Sequence, residues 1–274
     1  MPNLRRLAAL AATAALCASP GIAAAVTFDG LDLNLTGSAQ IPTSGSNAGN
    51  VLLTPSSIGT VGAAWLTAPV STGSAFSTTF SVNLTNVSGV GNADGVALVF
   101  QNVGTGALGS AGGNLGIDLP NNTTAGGAVA AELQTFWNTY GIVQNTDANG
   151  DAFTNSQPVS GPIDLSTAST ITGTETVSYD PTTHNISQNI ALNYTTSGGS
   201  GSFTRTANAI FDLSARFGPT MTVGLSAATG GGASDQSITA WTVNSVPEPS
   251  EWTLLGTGLG IMAVAARRRH RSAD

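Results

Sequence analysis

From residue 26 to residue 245 the chain consists of short apolar or alternating segments separated by turns rich in Gly, Ser, Thr and Asn. Alternation of apolar and polar residues, and short apolar runs bounded by turn residues, both predict β-strands. The predicted strands are 61–68, 75–84, 95–101, 128–137, 175–179, 186–194, 220–226 and 237–243, and 156–166 is predicted to be a long loop. Because no segment has the pattern of a long amphipathic helix, we predict an all-β antiparallel sandwich.

An acidic residue and a glycine-rich loop stand out among these segments. Asp94 precedes the apolar run 95–100, so its carboxylate is expected at an end of a sheet, where it can meet a ligand. Gly112 and Gly113 follow in a GGNLG loop. Its backbone N–H groups can approach a polar ligand closely, because glycine has no Cβ atom. Both features favour a binding site.

The next predicted strand carries polar side chains at even spacing. Glu132, Gln134 and Asn138 lie in the segment AELQTFWN, and the spacing predicts that all three project from one face. Carboxylate and amide oxygens on one face suit a hard cation or a hydroxyl-rich ligand.

In this order, the segments ADGVALVFQ, GGNLG and AELQTFWN resemble the legume-type (L-type) lectins. In that family ADG enters a strand, a GG loop follows, and VEFDT precedes an aromatic residue and Asn. The segment SAATGGGASDQSITAW at 226–241 resembles the family's SAATG segment, specificity loop and closing strand. The resemblance covers residues 26–245 and implies a concanavalin-like jelly-roll β-sandwich that binds carbohydrate.

The resemblance also implies a sugar site. Asp94, following a cis peptide bond, would accept hydrogen bonds from sugar hydroxyls; a solvated carboxylate at the start of a strand is the alternative. The other implied sugar-binding residues are Gly112 or Gly113 as a backbone N–H donor, Asn138, and Asp235 in the specificity loop 231–236. Either Trp137 or Tyr140 could supply an apolar face for a pyranose ring, and burial in the core is the alternative for both.

The metal half of the pattern departs from the family. The implied ligands are Glu132, Gln134, the backbone carbonyl of Phe136, Asn138 and Asp147. Gln134 replaces the family's bridging aspartate, and no histidine lies between residues 132 and 151. Because a neutral amide replaces a charged bridge, we predict that the transition-metal site is lost and that any calcium site is weakened. Asp147 lies in the segment NTDANGD, for which a polar hairpin tip is the alternative.

The sequence lacks the combinations of residues that catalysis usually needs. Glu132 has no second acidic residue on its strand, whereas glycoside hydrolysis uses a pair of carboxylates. His184 falls in a predicted turn and His270 in a basic tail, so neither is placed to activate a serine. We therefore predict that the protein is not an enzyme.

The charge of residues 26–245 limits the class of partner. This region holds 12 acidic residues and two arginines, Arg205 and Arg216, which gives a net charge of −10. Nucleic acid is excluded as a partner because phosphate binding needs clustered cations. The only cysteine, Cys17, precedes this region, so no disulfide is expected within it.

Both ends of the chain carry targeting patterns. Residues 1–25 begin with Arg5 and Arg6, continue through the apolar run 7–18, and end on small residues, which predicts a secretory signal peptide. Residues 246–274 resemble the PEP-CTERM sorting signal of Gram-negative bacteria, with a Pro-Glu-Pro motif, an apolar segment at 252–266 and an arginine-rich tail.

The apolar segment 252–266 is short for a permanent span. An α-helix of this length would extend about 22 Å, less than the roughly 30 Å hydrocarbon core of a bilayer. A transient anchor is therefore expected, with signal peptidase and an exosortase as processing partners. The predicted location is an inner-membrane intermediate, followed by the cell surface or the extracellular matrix.

The combined prediction is an exported lectin-like protein that binds exopolysaccharide or a cell-surface glycan without chemical change. The first alternative is a structural or adhesive matrix protein that has a lectin fold without sugar binding. A glycoside hydrolase is the least favoured alternative.

Overall fold

A computed structural model of the protein describes residues 26–87, 89, 91–119, 127–144, 157–159 and 163–245. The predictions for residues 1–25, Asp147 and residues 246–274 lie outside these residues. The strands are β1 Val26–Phe28, β2 Leu31–Gly37, β3 Val51–Thr54, β4 Val61–Leu66, β5 Val70–Ser71, β6 Phe76–Thr85, β7 Gly95–Gln101, β8 Val129–Gln134, β9 Thr139–Gln144, β10 Gln157–Pro158, β11 Thr170–Asp180, β12 Asn185–Thr196, β13 Gly199–Ile210, β14 Thr220–Ala228 and β15 Asp235–Ser245.

These strands form two antiparallel sheets. The nine-stranded sheet has the order β1-β2-β4-β14-β7-β8-β9-β10, and β5 pairs with one end of β14. The six-stranded sheet has the order β13-β12-β11-β6-β15-β3. The helical elements are α1, Leu213–Phe217, and the 3-10 turns Gly112–Asn114 and Leu165–Thr167. The prediction of an all-β sandwich of two antiparallel sheets is confirmed.

The main core lies between the two sheets. Strand β6 shows why, because its residues alternate between buried and partly exposed along its whole length. Phe80, Val82 and Leu84 face inward and pack with Leu98 and Phe100 of β7. This alternation is the pattern from which strand 75–84 was predicted.

A second, smaller core lies on the outer face of the nine-stranded sheet. There Trp65 and Val99 pack against Leu115 and Ile117 of a loop folded over the sheet. Trp65 Nε1 donates to the carbonyl oxygen of Ala107 in the same loop, at 2.9 Å. Strand β7 is therefore buried on both faces, which explains its continuous apolar sequence. This loop therefore lies over the nine-stranded sheet near the start of β7, which directly follows Asp94.

Several elements differ from the prediction. Strand β8 ends at Gln134 rather than residue 137, and the chain turns there into β9. The predicted loop 156–166 contains the two-residue strand β10 and part of a 3-10 turn. Strand β13 was not predicted, because its sequence is rich in Gly, Ser and Thr and its pairing with β12 over its full length fixes its conformation. None of the helices in the described part of the chain has the length and hydrophobicity that a membrane span requires.

Candidate functional site

Asp94 is held by its backbone at the end of the nine-stranded sheet. The Ala93–Asp94 peptide bond is cis, as the resemblance implied. Asp94 N–H donates to the carbonyl of Ala228 at 2.8 Å, and Asp94 C=O accepts from the N–H of Thr135, also at 2.8 Å. The ends of β14 and β8 thus fix the residue from two sides.

The Asp94 carboxylate is buried and incompletely paired. Its residue is only 4% exposed, and Oδ2 has no hydrogen-bond partner among the described residues. A buried polar oxygen without a donor is unfavourable, so such an atom favours a ligand that supplies an O–H or N–H group. Burial raises the pKa of Asp94 from 3.8 to about 6, which leaves it mostly ionised at neutral pH.

Two glycine-rich turns meet over this carboxylate. A Cβ atom placed on Gly230 would lie 2.8 Å from Asp94 Oδ2 and 3.2 Å from the Cα of Gly112. Glycine is therefore required at 230 for the two turns to approach each other. Gly112 N–H donates to the carbonyl of Thr229 at 3.0 Å. Of the two glycines predicted as the backbone donor to a ligand, Gly113 is therefore the remaining candidate.

The aromatic residues after β8 separate into a surface pair and a core residue. Trp137 is 62% exposed and Phe136 is 45% exposed, and their rings meet edge to face at 5.2 Å. A Cβ atom on Gly113 would lie 2.9 Å from the indole Nε1 of Trp137, so the indole borders the glycine turn. Tyr140 is only 8% exposed and belongs to the core between the sheets. Trp137, not Tyr140, can therefore offer a face to a ligand.

Glu132 and Gln134 lie side by side on the outer face of β8. Both are buried, and Gln134 Nε2 donates to Glu132 Oε2 at 3.3 Å and to the carbonyl of Gly113 at 2.8 Å. The amide thus connects the strand to the glycine turn.

The prediction that Asn138 projects from the same face is wrong, because β8 ends at Gln134. Asn138 lies in the following turn with φ +57°. Its Nδ2 donates to the carbonyl of Ile163 at 2.6 Å, and its Oδ1 accepts from the N–H of Leu165 at 3.2 Å. Asn138 therefore anchors the aromatic turn to the segment around residues 163–165.

The described residues do not fit the paired site for a transition metal and calcium that the sequence resemblance implied. A cation between Glu132 and the Gly113 carbonyl would need oxygen ligands, but the hydrogens of the Gln134 amide point to both groups. Asn138 Oδ1 already accepts a hydrogen bond from the N–H of Leu165. Nor do the described residues contain a group of three or more His, Cys, Asp or Glu that could hold a metal.

Asp235 is the first residue of β15 and has a structural role. Its Oδ1 accepts from the N–H of Ser56 at 2.6 Å, and its Oδ2 accepts from Asn47 Nδ2 at 3.0 Å. Direct contact between Asp235 and a sugar stays a prediction.

The roles of three residues at the site were not predicted, although Ser234 and Gln236 lie in the predicted specificity loop 231–236. Gln236 Nε2 donates to the carbonyls of Ala93 at 3.2 Å and Ala228 at 2.7 Å, and Ser234 Oγ donates to that of Ala93 at 3.2 Å. The third is Gly230, whose signal in the sequence is the run GGG at 230–232. The contacts of Gln236 and Ser234 with Ala93 join positions more than 140 apart in the chain, so no local pattern could reveal them.

Two packed antiparallel sheets with a buried carboxylate and glycine turns at one end agree with the lectin-type β-sandwich that the sequence resemblance implied. The model of the legume lectin domain matches residues 26–255, and the chain therefore belongs to the legume lectin family. This family consists of non-enzymatic carbohydrate-binding proteins, which agrees with the prediction that the protein is not an enzyme.

Solved structures of plant lectins are similar to this chain. The lectin from Bauhinia forficata in complex with GalNAc is 24% identical, with a TM-score of 0.58 over 78% of this chain and 92% of that one. The Lotus tetragonolobus seed lectin is 25% identical, with a TM-score of 0.58 over 79% and 94%. Arcelin-5, a lectin-like defense protein from Phaseolus vulgaris, is 18% identical, with a TM-score of 0.59 over 79% and 93%. None of the curated proteins matches the chain.

Proposed function

We propose that this protein is a lectin that binds a neutral glycan at Asp94 without chemical change. The observation that carries the proposal is the buried carboxylate oxygen of Asp94, which has no partner within the described structure and lies beneath two glycine turns. The Asp94 carboxylate can accept a hydrogen bond from a sugar hydroxyl, and glycine at 112 and 230 leaves no side chain above it.

Three contacts of different chemistry would hold the sugar. Asp94 accepts hydrogen bonds from sugar hydroxyls, and each such bond to a charged group contributes about 1.5–3 kcal/mol. Gly113 N–H donates to a sugar oxygen, and the exposed indole of Trp137 packs on the apolar C–H face of the ring. The similar lectin from Bauhinia forficata was solved in complex with GalNAc, which supports a glycan as the class of ligand.

The net charge supports a neutral glycan rather than an acidic one. Residues 26–245 have a net charge of −10, so a polymer bearing carboxylates or sulfates would be repelled. Neutral exopolysaccharide and neutral cell-surface glycans fit this condition.

The site gives no support to hydrolysis. Glu132, the acidic residue on β8, is fully buried and bonded to the Gln134 amide, so it cannot reach a glycosidic oxygen.

The first test is a glycan array with the purified protein, run in calcium and again in EDTA. We expect selective binding by the native protein and loss of binding by Asp94→Ala. Asp32→Ala is the matched control, because it removes an exposed carboxylate from β2 of the same sheet. Loss of binding by both variants would indicate a general charge effect rather than a site at Asp94.

The second candidate function is a matrix protein with a lectin fold that does not bind sugar. It is favoured by Gln134, which replaces a charged residue of the family pattern. Native protein that is folded, as judged by a cooperative thermal transition, but binds no glycan on the array would support this candidate.

We also propose that the protein is exported and held at the cell surface. Residues 1–25 have the pattern of a secretory signal peptide, and residues 246–274 resemble a PEP-CTERM signal handled by an exosortase. The segment 252–266 would anchor the protein transiently in the inner membrane. Fractionation of cells that produce the full chain or a chain truncated after residue 245 tests this. Unchanged retention of the truncated chain would contradict the proposed role of the tail.

A further inference from the structure

We propose that the Gln134 amide takes the structural place of the metal pair, so that the glycan site keeps its shape without divalent cations. Gln134 is then a positioning residue, which acts on the ligand through Gly113. This inference rests on the proposed glycan site and adds what organises that site.

The position of the Gln134 amide is the first argument. Gln134 is 1% exposed, and its Nε2 donates to Glu132 Oε2 on the strand and to the Gly113 carbonyl on the turn. Gly113 also borders the Trp137 indole and is the predicted backbone donor to the sugar. One amide therefore links the buried strand to the turn that would contact the ligand.

The chemistry of the three groups is the second argument. Glu132 and the Gly113 carbonyl are both acceptors, and both lie against residue 134. With a carboxylate at 134, three oxygen-bearing groups would converge, and a cation would be needed to offset their repulsion. With Gln134, the two N–H groups of the amide donate to Glu132 and to the Gly113 carbonyl, so both acceptors have a hydrogen bond without a cation.

The independent anchoring of the aromatic turn is the third argument. Asn138 is fixed by Ile163 and Leu165 through its side chain, and its carbonyl accepts from the N–H of Val159 at 2.8 Å. These bonds hold the turn that carries Trp137 through protein groups alone. Both parts of the site, the glycine turn and the aromatic turn, thus have their own anchors.

The orientation of the amide sets the condition for metal binding. Gln134 Oε1 is buried and has no hydrogen-bond partner in the described part of the chain. To ligate a cation beside Glu132, the amide would have to rotate and give up its bonds to Glu132 and Gly113. Cation binding and the observed arrangement therefore exclude each other.

The test compares native protein with Gln134→Glu, a change of similar size that replaces the two N–H donors by a second carboxylate. For the native protein we expect the same melting temperature and the same glycan affinity in EDTA, calcium chloride and manganese chloride. For Gln134→Glu in EDTA we expect a lower melting temperature and an affinity at least about tenfold weaker, with recovery in calcium chloride.

Gln101→Glu is the matched control. Gln101 is also fully buried, and its Nε2 donates to the carbonyl of Gly104 at the far end of β7. This variant should lose stability without recovery in calcium, because the described hydrogen bonds of that side chain are all to backbone groups of Val103 and Gly104 and involve no second carboxylate. Recovery of Gln134→Glu alone would identify a specific acidic cluster rather than a general effect of a buried charge.

Two outcomes would overturn the inference. The first is native protein whose melting temperature and glycan affinity both fall in EDTA and return with calcium. The second is Gln134→Glu that behaves like native protein in EDTA. Failure of the proposed function can be told apart from failure of this inference. Native protein that binds no glycan still has melting temperatures in EDTA and in calcium chloride, and these test the role of Gln134.

Discussion

Burial of Asp94 has opposite consequences for binding and for stability. The carboxylate is available to a sugar because no protein donor satisfies Oδ2 in the described structure, and it is unfavourable in the free protein for the same reason. The two nearby aromatic residues differ in burial, because Trp137 is exposed and Tyr140 lies in the core. Each difference can be measured with a single substitution.

The first prediction is that Asp94→Asn raises stability at neutral pH while abolishing glycan binding. Burial holds the folded-state pKa near 6, above the unfolded value of 3.8. The folded state therefore binds the proton more tightly, and native stability falls as the pH rises from about 4 to 6. Asparagine does not ionise, so the variant avoids this loss.

Thermal melting at pH 4 and pH 7 tests this prediction. We expect the variant to melt about 2–4 °C above native protein at pH 7 and close to it at pH 4. A variant that is less stable than native protein at pH 7 would show that the carboxylate is satisfied in the free protein.

The second prediction distinguishes Trp137 from Tyr140. Trp137→Ala should weaken glycan affinity about tenfold, because stacking on an exposed ring contributes about 1 kcal/mol or more, and should leave the melting temperature nearly unchanged. Tyr140→Ala should instead destabilise the fold by about 3 kcal/mol, as is usual for truncation of a buried aromatic residue. Titration calorimetry and thermal melting of both variants provide the comparison, and a large stability loss in Trp137→Ala would contradict it.

At the scale of elements, two strands show what sequence patterns can and cannot determine. The bounds of β7 were predicted because its apolar run is continuous and begins sharply after Asp94. The end of β8 was not, because TFWN after Gln134 continues a β-prone sequence although the chain already turns toward β9. The residues of the candidate site also differ in whether a local sequence pattern predicts them. Asp94 and Gly113 lie in local motifs, whereas the positions of Asn138 and Gln236 depend on long-range hydrogen bonds.

A buried acidic residue connects two strands of the six-stranded sheet. Glu175 of β11 faces the core, and its Oε1 accepts from Gln188 Nε2 of β12 at 2.9 Å. The Gln188 amide also donates to the carbonyl of Glu132, so the contact reaches across the core to β8. The pKa of Glu175 is raised from 4.5 to about 8, mainly by burial. The hydrogen bond from Gln188 lowers this pKa, and the nearby charge of Glu132 raises it.

The third prediction concerns the pH dependence of this contact. Because the folded-state pKa of Glu175 exceeds the unfolded value, its contribution to stability is complete below about pH 4.5 and is lost as the pH rises through about 8. Glu175→Gln should therefore melt several degrees above native protein at pH 9, by about 2–8 °C, and close to it at pH 4.5.

Asp180→Asn, at the exposed end of the same strand, is the control for Glu175→Gln. Hydrogen bonds from Thr182 and Thr183 lower the pKa of Asp180, so this substitution should reduce stability at neutral pH. A rise in melting temperature for Glu175→Gln together with a fall for Asp180→Asn would support burial as the cause of the Glu175 effect. A change in the same direction for both variants would contradict it.

At the scale of the whole molecule, charge is scarce and of one sign. Residues 26–245 include two arginines and 12 acidic residues. The outward side chains of the central strands β6 and β11 of the six-stranded sheet are mainly Ser, Thr and Asn. The binding contacts proposed at Asp94, Gly113 and Trp137 involve no protein cation. Binding of a neutral glycan therefore requires no pairing of opposite charges.

The fourth prediction is that affinity for a neutral glycan does not depend on salt, whereas exclusion of an acidic polysaccharide does. The Debye length falls from about 30 Å at 0.01 M to about 10 Å at 0.1 M ionic strength, so salt screens long-range repulsion but not a hydrogen bond inside a buried site. Titrations of one neutral and one sulfated polysaccharide at both ionic strengths measure the difference. Affinity for the neutral polymer that falls steeply with salt would place a charge contact in the interface, and the site at Asp94 would then be an incomplete account of recognition.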